Sequence, residues 1–426
     1  MIIRVLPVLN MPFIRDNRAA VEQAIINKNA SVDLDRLLTL DAAIRAARGE
    51  IDELRRQRNE LSDAFKTATA DQKPELGQAA MAAGARAGEL EQALEGNLAE
   101  FNDLAVLVPN VPWDGAPIGP DEASNIVSRT VGTPRNFDFT VRDHVELVEM
   151  NDWADLGRVV QVSGSRTYCL KGRLALLEQA LMLHAQRRLI DEGFTLMTVP
   201  AIAREKAFIA TGNFPGGRED AYEIPKDNMF LAGTAEVALT SLHSGEIIDN
   251  AKLPILYAGV SPCFRREAGS AGRDVRGLLR VHQFLKVEQY VICRDDPAES
   301  AQWHARLLGI AEGLLADLEL PYQVVETSTG DMGLGKYRMN DIETWVPSLG
   351  KYRETHSCST LHDWQARRAN LRFRDGDGKV AFVHTLNNTA LASPRILVPL
   401  LENHQQADGR VRIPTALQDL MGGEWL

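Results

Sequence analysis

The chain has 426 residues, a formal net charge of −11, and 45% hydrophobic and 25% charged residues. That length exceeds what one hydrophobic core usually serves, so two domains are expected, and the composition is that of an ordinary globular protein rather than a disordered one. The acidic balance excludes broad, non-specific nucleic-acid binding and leaves a defined local basic surface as the route to any polyanion.

At the N-terminus, "MIIRVLPVLNMPFIRDN" is broken by Arg4, Pro7, Asn10 and Pro12, which makes a poor signal peptide. No apolar run approaches the roughly 18 residues of a membrane span, so a cytoplasmic location and no membrane partner are expected. Cys169, Cys263, Cys293 and Cys358 lie far apart with no CxxC pair. That spacing predicts no structural zinc and instead small thiols in a reducing compartment.

From residue 37 a heptad pattern runs through Leu37, Leu40, Ile44, Ala47, Ile51, Leu54, Arg58, Leu61 and Phe65. Asp71 and Pro74 interrupt it, and a second series follows at Ala87, Leu90, Leu94, Asn97, Phe101, Leu104 and Val108. Steps of three and four residues mark a coiled-coil seam, and two such helices with a short connection predict an antiparallel hairpin. A helix over about 34–66 would run roughly 50 Å, against a radius of gyration near 20 Å for a body of some 300 residues. The hairpin is therefore expected to stand out as an arm. By pattern alone it could be a dimerisation coil, a spacer or a nucleic-acid contact.

Four prolines between Pro109 and Pro120 bar both helix and central strand. The expected organisation is an N-terminal domain at 1–110, a linker at 111–130 and a second domain at 131–426. In the second domain β-rich stretches such as "LPILYAGV" and "PYQVVET" mix with amphipathic segments such as "LALLEQALMLHAQRRLIDEG". With neither GxxxxGK[ST] nor a strand-to-helix GxGxxG, the fold class is α+β with a mainly antiparallel sheet and no P-loop or Rossmann site.

Residues 263–277, "CFRREAGSAGRDVRG", hold four arginines and three glycines. They join two predicted strands. On the returning one, period-2 geometry sets Val281, Gln283, Leu285, Val287, Gln289 and Val291 on one face, and His282, Phe284, Lys286, Glu288 and Tyr290 on the other. Guanidinium forks and a close-approaching glycine backbone suit a polyphosphate clamp; a solvated charged loop is the competing account.

These strings resemble the class II aminoacyl-tRNA synthetases. Phe264, Arg265, Arg266 and Glu267 match an F-R-x-E hairpin, Arg395 in "NNTALASPRILVPLLEN" a later helix that starts near an arginine, and "LALLEQALMLHAQRRLIDEGFTLMTVP" a helix and strand ending at Pro200. Longer strings, "GTAEVALTSLHSGE", "YRETHSCST" and "HTLNNTALASPRILVPLLENHQ", are similar to the seryl-tRNA synthetase family, as is the helical hairpin along its length.

The resemblance implies a class II catalytic domain, activation of serine with ATP, and transfer of serine to tRNA(Ser), with tRNA(Sec) a further substrate. It implies Arg265 at the α-phosphate, Arg395 at the γ-phosphate and adenine, and Glu267 at the nucleotide or its metal. Phe284 would be the face on which adenine stacks, and Arg266, Val281, Thr355 and His356 further ATP contacts. Glu354 and Ser357 would be ligands of ATP and Mg²⁺, an ion that takes hard oxygen donors. The implied serine pocket is Thr234, Ala235, Glu236, Glu288, Asn387 and Thr389. Two departures from the commoner family pattern stand out: threonine rather than serine at 389, and Leu285 where a polar residue is usual.

The resemblance also implies that the arm grips tRNA, with Arg45, Arg48, Arg55, Arg56, Lys66 and Arg86 as candidate phosphate contacts. Arg273 and Arg276 could meet the acceptor end. A homodimer would form through the 174–200 region, with the arm of one subunit serving the site of the other. A ligase acting on a carrier protein would share the catalytic motifs but have little use for the arm. A non-catalytic RNA-binding paralogue would have lost part of the constellation.

Overall fold

The computed structural model describes residues 10–268 and 276–426. Arg273 and the rest of the 269–275 connection fall outside that set. The chain divides into two compact units: Met1–Ile26 with Ala30–Val108, and Asn27–Asn29 with Pro109–Leu426. No helix among the described residues is long and apolar enough to cross a membrane.

The first unit is built on two long helices, α1 (Leu34–Thr67) and α2 (Lys73–Ala105). Asp33 caps α1, its side chain accepting from the Arg36 amide at 2.8 Å, and Pro74 sits in the first turn of α2, where a missing N–H costs nothing. Leu37, Leu40, Ile44 and Ile51 are buried against Ala87, Leu94, Leu98, Phe101 and Ala105. The expected seam is corrected on α2: Leu98 and Ala105 are buried where Asn97 and Leu104 were expected, and Leu90 is only half-buried. An α-helix at 3.6 residues per turn drifts from a strict heptad, and the drift selects an apolar leucine over an asparagine that would need a partner. Burial fades toward the 68–72 turn, where Phe65 and Met81 are exposed.

The second unit carries an eight-stranded sheet of β1 (Ile126–Val131), β2 (Thr195–Thr198), β3 (Ile255–Phe264), β4 (Gln283–Cys293), β5 (Tyr322–Glu326), β6 (Arg338–Val346), β7 (Lys351–His362) and β8 (His384–Ser393). Their order is β1-β5-β6-β7-β8-β4-β3-β2. Every pairing is antiparallel except that of β2 with β3. Two helices, α3 (Gly172–Asp191) and α4 (Pro297–Asp317), pack on one face: Leu177, Leu181, Leu307 and Leu314 share a core with Val287, Val291 and Leu386. The opposite face of the central strands is left for other work.

Residues 111–130, expected as a linker, instead lie along the second unit. The Trp113 amide donates to Tyr337 O at 3.0 Å, the Thr329 amide to Pro117 O at 2.9 Å, and the Ser328 hydroxyl to Asp121 O at 2.8 Å; from Ile126 the chain is edge strand β1. Proline removes donors and leaves its carbonyl free to accept, so a proline-rich segment can still be bound along a body at its edge.

Candidate active site

The open face of the central strands forms the floor of a cavity of about 210 Å³. From β4 come Phe284, Lys286 and Glu288, from β8 Asn387 and Thr389, and from β7 Glu354, Thr355 and Ser357. Arg265 and Glu267 follow the end of β3, Thr234 and Glu236 lie at the start of a short helix (Glu236–Leu242), and Arg395 follows β8.

Alternation along β4 behaves as the sequence predicts. Phe284, Lys286 and Glu288 face the cavity, Val287 and Val291 join the helix-covered core, and Leu285 turns into a separate groove with Phe264 and Tyr222. Val281 nonetheless reaches the cavity, because β4 begins only at Gln283 and strand alternation does not extend back to it.

Two bulges complete the floor. The β6–β7 register pairs Ile342 with His356 and Glu343 with Glu354, leaving Thr355 as an extra residue; consecutive Glu354 and Thr355 thus both line the cavity. The β8–β4 register steps from Thr389 to Leu391, so Leu391 returns to the core and Ala392 to the cavity. A bulge re-aims side chains at a chosen point without breaking the sheet. Gly259 on β3 plays a complementary part, pairing with Glu288. A Cβ there would come within 2.8 Å of Leu239 and 2.9 Å of Ala235, so only glycine lets the helix that carries Glu236 close onto the sheet.

Three expected contacts lie elsewhere. Ala235 is buried beneath that helix with Leu239. Arg266 is held outward, its amide donating to Asp220 O at 2.8 Å and its guanidinium to Glu219 O at 2.9 Å. His356 points to the opposite face, its Nε2 donating to Ala390 O at 3.0 Å, and burial brings its pKa down to about 4. Period 2 puts it opposite Thr355 and Ser357.

Four carboxylates (Glu236, Glu267, Glu288, Glu354) meet four cations (Arg265, Lys286, Lys336, Arg395) around the cavity. Lys286 pairs with Glu288 and donates to the Thr234 hydroxyl at 2.8 Å, which donates in turn to Glu288 Oε2 at 3.1 Å. Glu236 accepts from Gln365 at 2.6 Å and from Asn387 at 2.7 Å, both on Oε1. Gln365 is itself fixed by the Thr385 hydroxyl at 2.8 Å. The Arg265 guanidinium lies 5.3 Å from the Phe284 ring centroid. Glu267, at φ 56°, pairs with Arg280 at 2.7 Å. Arg395 is 3.7 Å from the Glu354 carboxylate and donates through Nε to Leu279 O at 3.2 Å.

Behind Glu354, Asp341 is buried opposite Ser357 in the β6–β7 ladder. Burial first, and the charge of Glu354 second, hold its carboxyl well above the usual range. Its Oδ1 has no hydrogen-bond partner among the described residues.

No motif in the sequence marks Lys286, although alternation sets it beside Phe284 and Glu288. Arg280, Lys336, Asp341 and Gln365 carry no signal in the sequence at all. Nothing in their local strings marks them, since each matters through a neighbour distant in sequence.

Residues 8–112 match the seryl-tRNA synthetase N-terminal domain, and residues 221–404 the tRNA synthetase class II core domain (G, H, P, S and T). The serine–tRNA ligase of Deinococcus radiodurans is 51% identical over 97% of this chain and 98% of its own. Among solved structures, seryl-tRNA synthetase from Pyrococcus horikoshii complexed with ATP is 37% identical with a TM-score of 0.91, covering 98% of this chain and 99% of its own. The cytoplasmic enzyme of Naegleria fowleri in complex with AMP is 25% identical with a TM-score of 0.86, over 100% and 98%. The hairpin and the catalytic sheet thus match together, along nearly the whole length, and the chain belongs to the seryl-tRNA synthetase family of class II aminoacyl-tRNA synthetases.

Proposed function

We propose that serine–tRNA ligation by this chain runs through the cavity on the open face of the sheet. The observation that carries the reading is the convergence there of Arg265, Phe284, Glu288, Glu354 and Arg395 from four separated stretches of sequence. The serine carboxylate attacks the α-phosphorus of ATP, pyrophosphate leaves, and the 3′-terminal adenosine hydroxyl of tRNA(Ser) then takes the seryl group from the adenylate.

In this reading Arg265 and Arg395 neutralise charge on the triphosphate, as fixed donors do best where negative charge accumulates. Phe284 offers adenine a ring face. Thr234, Glu236, Glu288, Asn387 and Thr389 hold serine. The carboxylates suit its ammonium and its hydroxyl donor, and a site built to bond a hydroxyl rejects alanine and glycine because its own buried polar groups would be left unpaired. Thr389 keeps the hydroxyl and adds a methyl, which narrows the pocket against threonine.

Glu354 and Ser357 are the residues that would hold Mg²⁺. The fit rests on hard oxygen donors facing the cavity and on the unpartnered Oδ1 of Asp341 behind them. Held there, the ion would supply charge neutralisation on the phosphates. No structural zinc is part of the reading.

A homodimer is supported by Leu176, Leu183 and Ile190, which lie seven residues apart along α3 and are exposed together with Leu196 on β2. Apolar side chains repeated on one helix face in this way fit a second copy. For the arm, Arg45, Arg55, Arg56, Lys66 and Arg86 are each held in ion pairs, whereas Arg48 is exposed and outside any ion pair among the described residues. Of these six candidates, Arg48 is thus the one freest to meet a phosphate. Arg276 pairs with Asp143 at 3.3 Å.

Serine-dependent ATP/pyrophosphate exchange tests the reading, followed by charging of tRNA(Ser) and tRNA(Sec) by the full-length protein and by a variant lacking 1–110. Absence of exchange with serine overturns the assignment of the cavity. Undiminished charging by the shortened protein removes the arm from it.

A further inference from the structure

Lys336 is a cavity cation that the assigned roles leave unused. It is half-buried, lines the cavity, and makes no side-chain hydrogen bond or ion pair with any described residue. Arg395 has Glu354, Lys286 has Glu288, and Arg265 has the Phe284 ring; Lys336 faces the cavity without such a partner.

The sheet register fixes which end of the cavity it serves. The Tyr337 amide donates to Thr360 O at 2.7 Å, and Ser359 pairs with Asn387 one rung away. Lys336 therefore enters beside the Asn387 end. Glu354 lies toward the other end of β7, six residues from Thr360, roughly 17 Å along a bulged strand. Asn387 and Glu236 belong to the amino-acid end, and Glu354 and Arg395 to the phosphate end.

A free cation at the amino-acid end has no anionic group of serine to meet. The ammonium and hydroxyl need acceptors, and the carboxylate is turned toward the α-phosphorus and Arg265. The anion that arrives there comes in the second step, with the 3′ end of tRNA.

The backbone that presents Lys336 is clamped carbonyl by carbonyl. Leu334 O accepts from Lys28 Nζ at 3.1 Å and from the Asn110 amide at 2.8 Å. Gly335 O accepts from Asn110 Nδ2 at 3.2 Å, Lys336 O from Lys28 Nζ, and Tyr337 O from the Trp113 amide at 3.0 Å. Lys28 is buried, and that burial, with the charge of Lys336 second, lowers its pKa to about 7. Burying an ammonium to hold two carbonyls is a costly way to fix a loop, so the position of Lys336 is built rather than incidental. Lys28, in the Asn27–Asn29 segment, and Asn110, near the start of Pro109–Leu426, both belong to the second unit, as does the backbone they hold.

We infer that Lys336 is a tRNA-binding residue of the transfer step, receiving the phosphodiester at the 3′ end of the acceptor, and that Lys28 and Asn110 are the residues that position it. A lysine is suited to this as a compact charge with rotatable donors. The inference rests on the serine–tRNA ligase reading.

The test uses the full-length protein and two readouts: serine-dependent ATP/pyrophosphate exchange, and single-turnover transfer from preformed seryl-adenylate to tRNA(Ser). For Lys336→Ala, transfer is expected to fall at least tenfold further than exchange, with most of the loss recovered in Lys336→Arg. Lys28→Met and Asn110→Ala are expected to show the same bias. Each, combined with Lys336→Ala, should be no slower in transfer than Lys336→Ala alone. Thermal unfolding is followed in parallel, and Asn110→Ala, which leaves the hydrogen bond from its backbone N–H to Leu334 O intact, keeps the test open if Lys28→Met does not fold. Equal losses in both steps would make Lys336 a ligand of serine or ATP, and no loss would make it a solvated lysine; either overturns the inference. Additive double variants overturn the positioning role of Lys28 and Asn110. Absence of exchange in the unmodified protein is a different failure, that of the underlying reading.

Discussion

The helical hairpin and the catalytic cavity use charge in opposite ways. On the hairpin, Arg55 meets Glu91 and Arg56 meets Glu53 and Glu60 in pairs about half exposed, which contribute little to stability and are screened by salt. In the cavity, Glu288 with Lys286 and Glu236 with Gln365 and Asn387 are buried and hydrogen-bonded to particular neighbours. An unpaired member there costs far more than one on the surface. Abundance of charge therefore says little about function, whereas a buried polar group with a defined partner says a great deal.

The largest expected effect is in the cavity. Arg265→Ala should lower serine-dependent exchange by about 10³-fold, roughly 4 kcal/mol. Arg265→Lys should recover little of it, because a point charge does not replace a planar fork. Recovery by lysine would show that charge alone, as on the hairpin, is what the site uses.

Acid should separate the two regions next. All nine histidines and all six tryptophans lie outside α1 and α2. His304 and His356 are buried neutral with pKa values brought down from 6.5 to about 4. Between those values the unfolded chain binds protons that the folded chain does not, so this stability is intact above about pH 6.5 and is lost as pH falls toward 4. The loss is about 3 kcal/mol per histidine. Tryptophan fluorescence in urea titrations at descending pH should show the loss, and His356→Gln should lessen it. A flat profile would mean that neither histidine is held neutral by burial.

The hairpin seam gives the next effect. Leu98→Ala should destabilise the first unit by about 2–3 kcal/mol, and Leu90→Ala by clearly less, as read by helical circular dichroism during denaturation. The reverse order would restore the strict heptad. Smallest, under about 1 kcal/mol, is the contrast between Arg48→Ala and Arg55→Ala. The first should weaken tRNA charging and reduce its salt dependence by about one phosphate contact, the second less so. Equal effects would show that the ion pair of Arg55 opens to RNA.

Much of this was legible along the chain because it follows from local periodicity. Steps of three and four residues predicted α1 and α2, and alternation through Phe284, Lys286 and Glu288 predicted a shared face. The short strings around Arg265, Glu354 and Arg395 carried the family resemblance. The sequence by itself thus determined the helical and strand elements, the class of fold and most side chains of the cavity. Only the tertiary structure decided that Leu98 rather than Asn97 enters the seam, that bulges at Thr355 and Ala390 re-aim the floor, that Arg266 and His356 turn away, and that Lys28, Asn110 and Lys336 meet. Those outcomes depend on helix drift, strand register and hydrogen bonds between residues as much as 308 positions apart, and a linear pattern has no term for a partner at that distance.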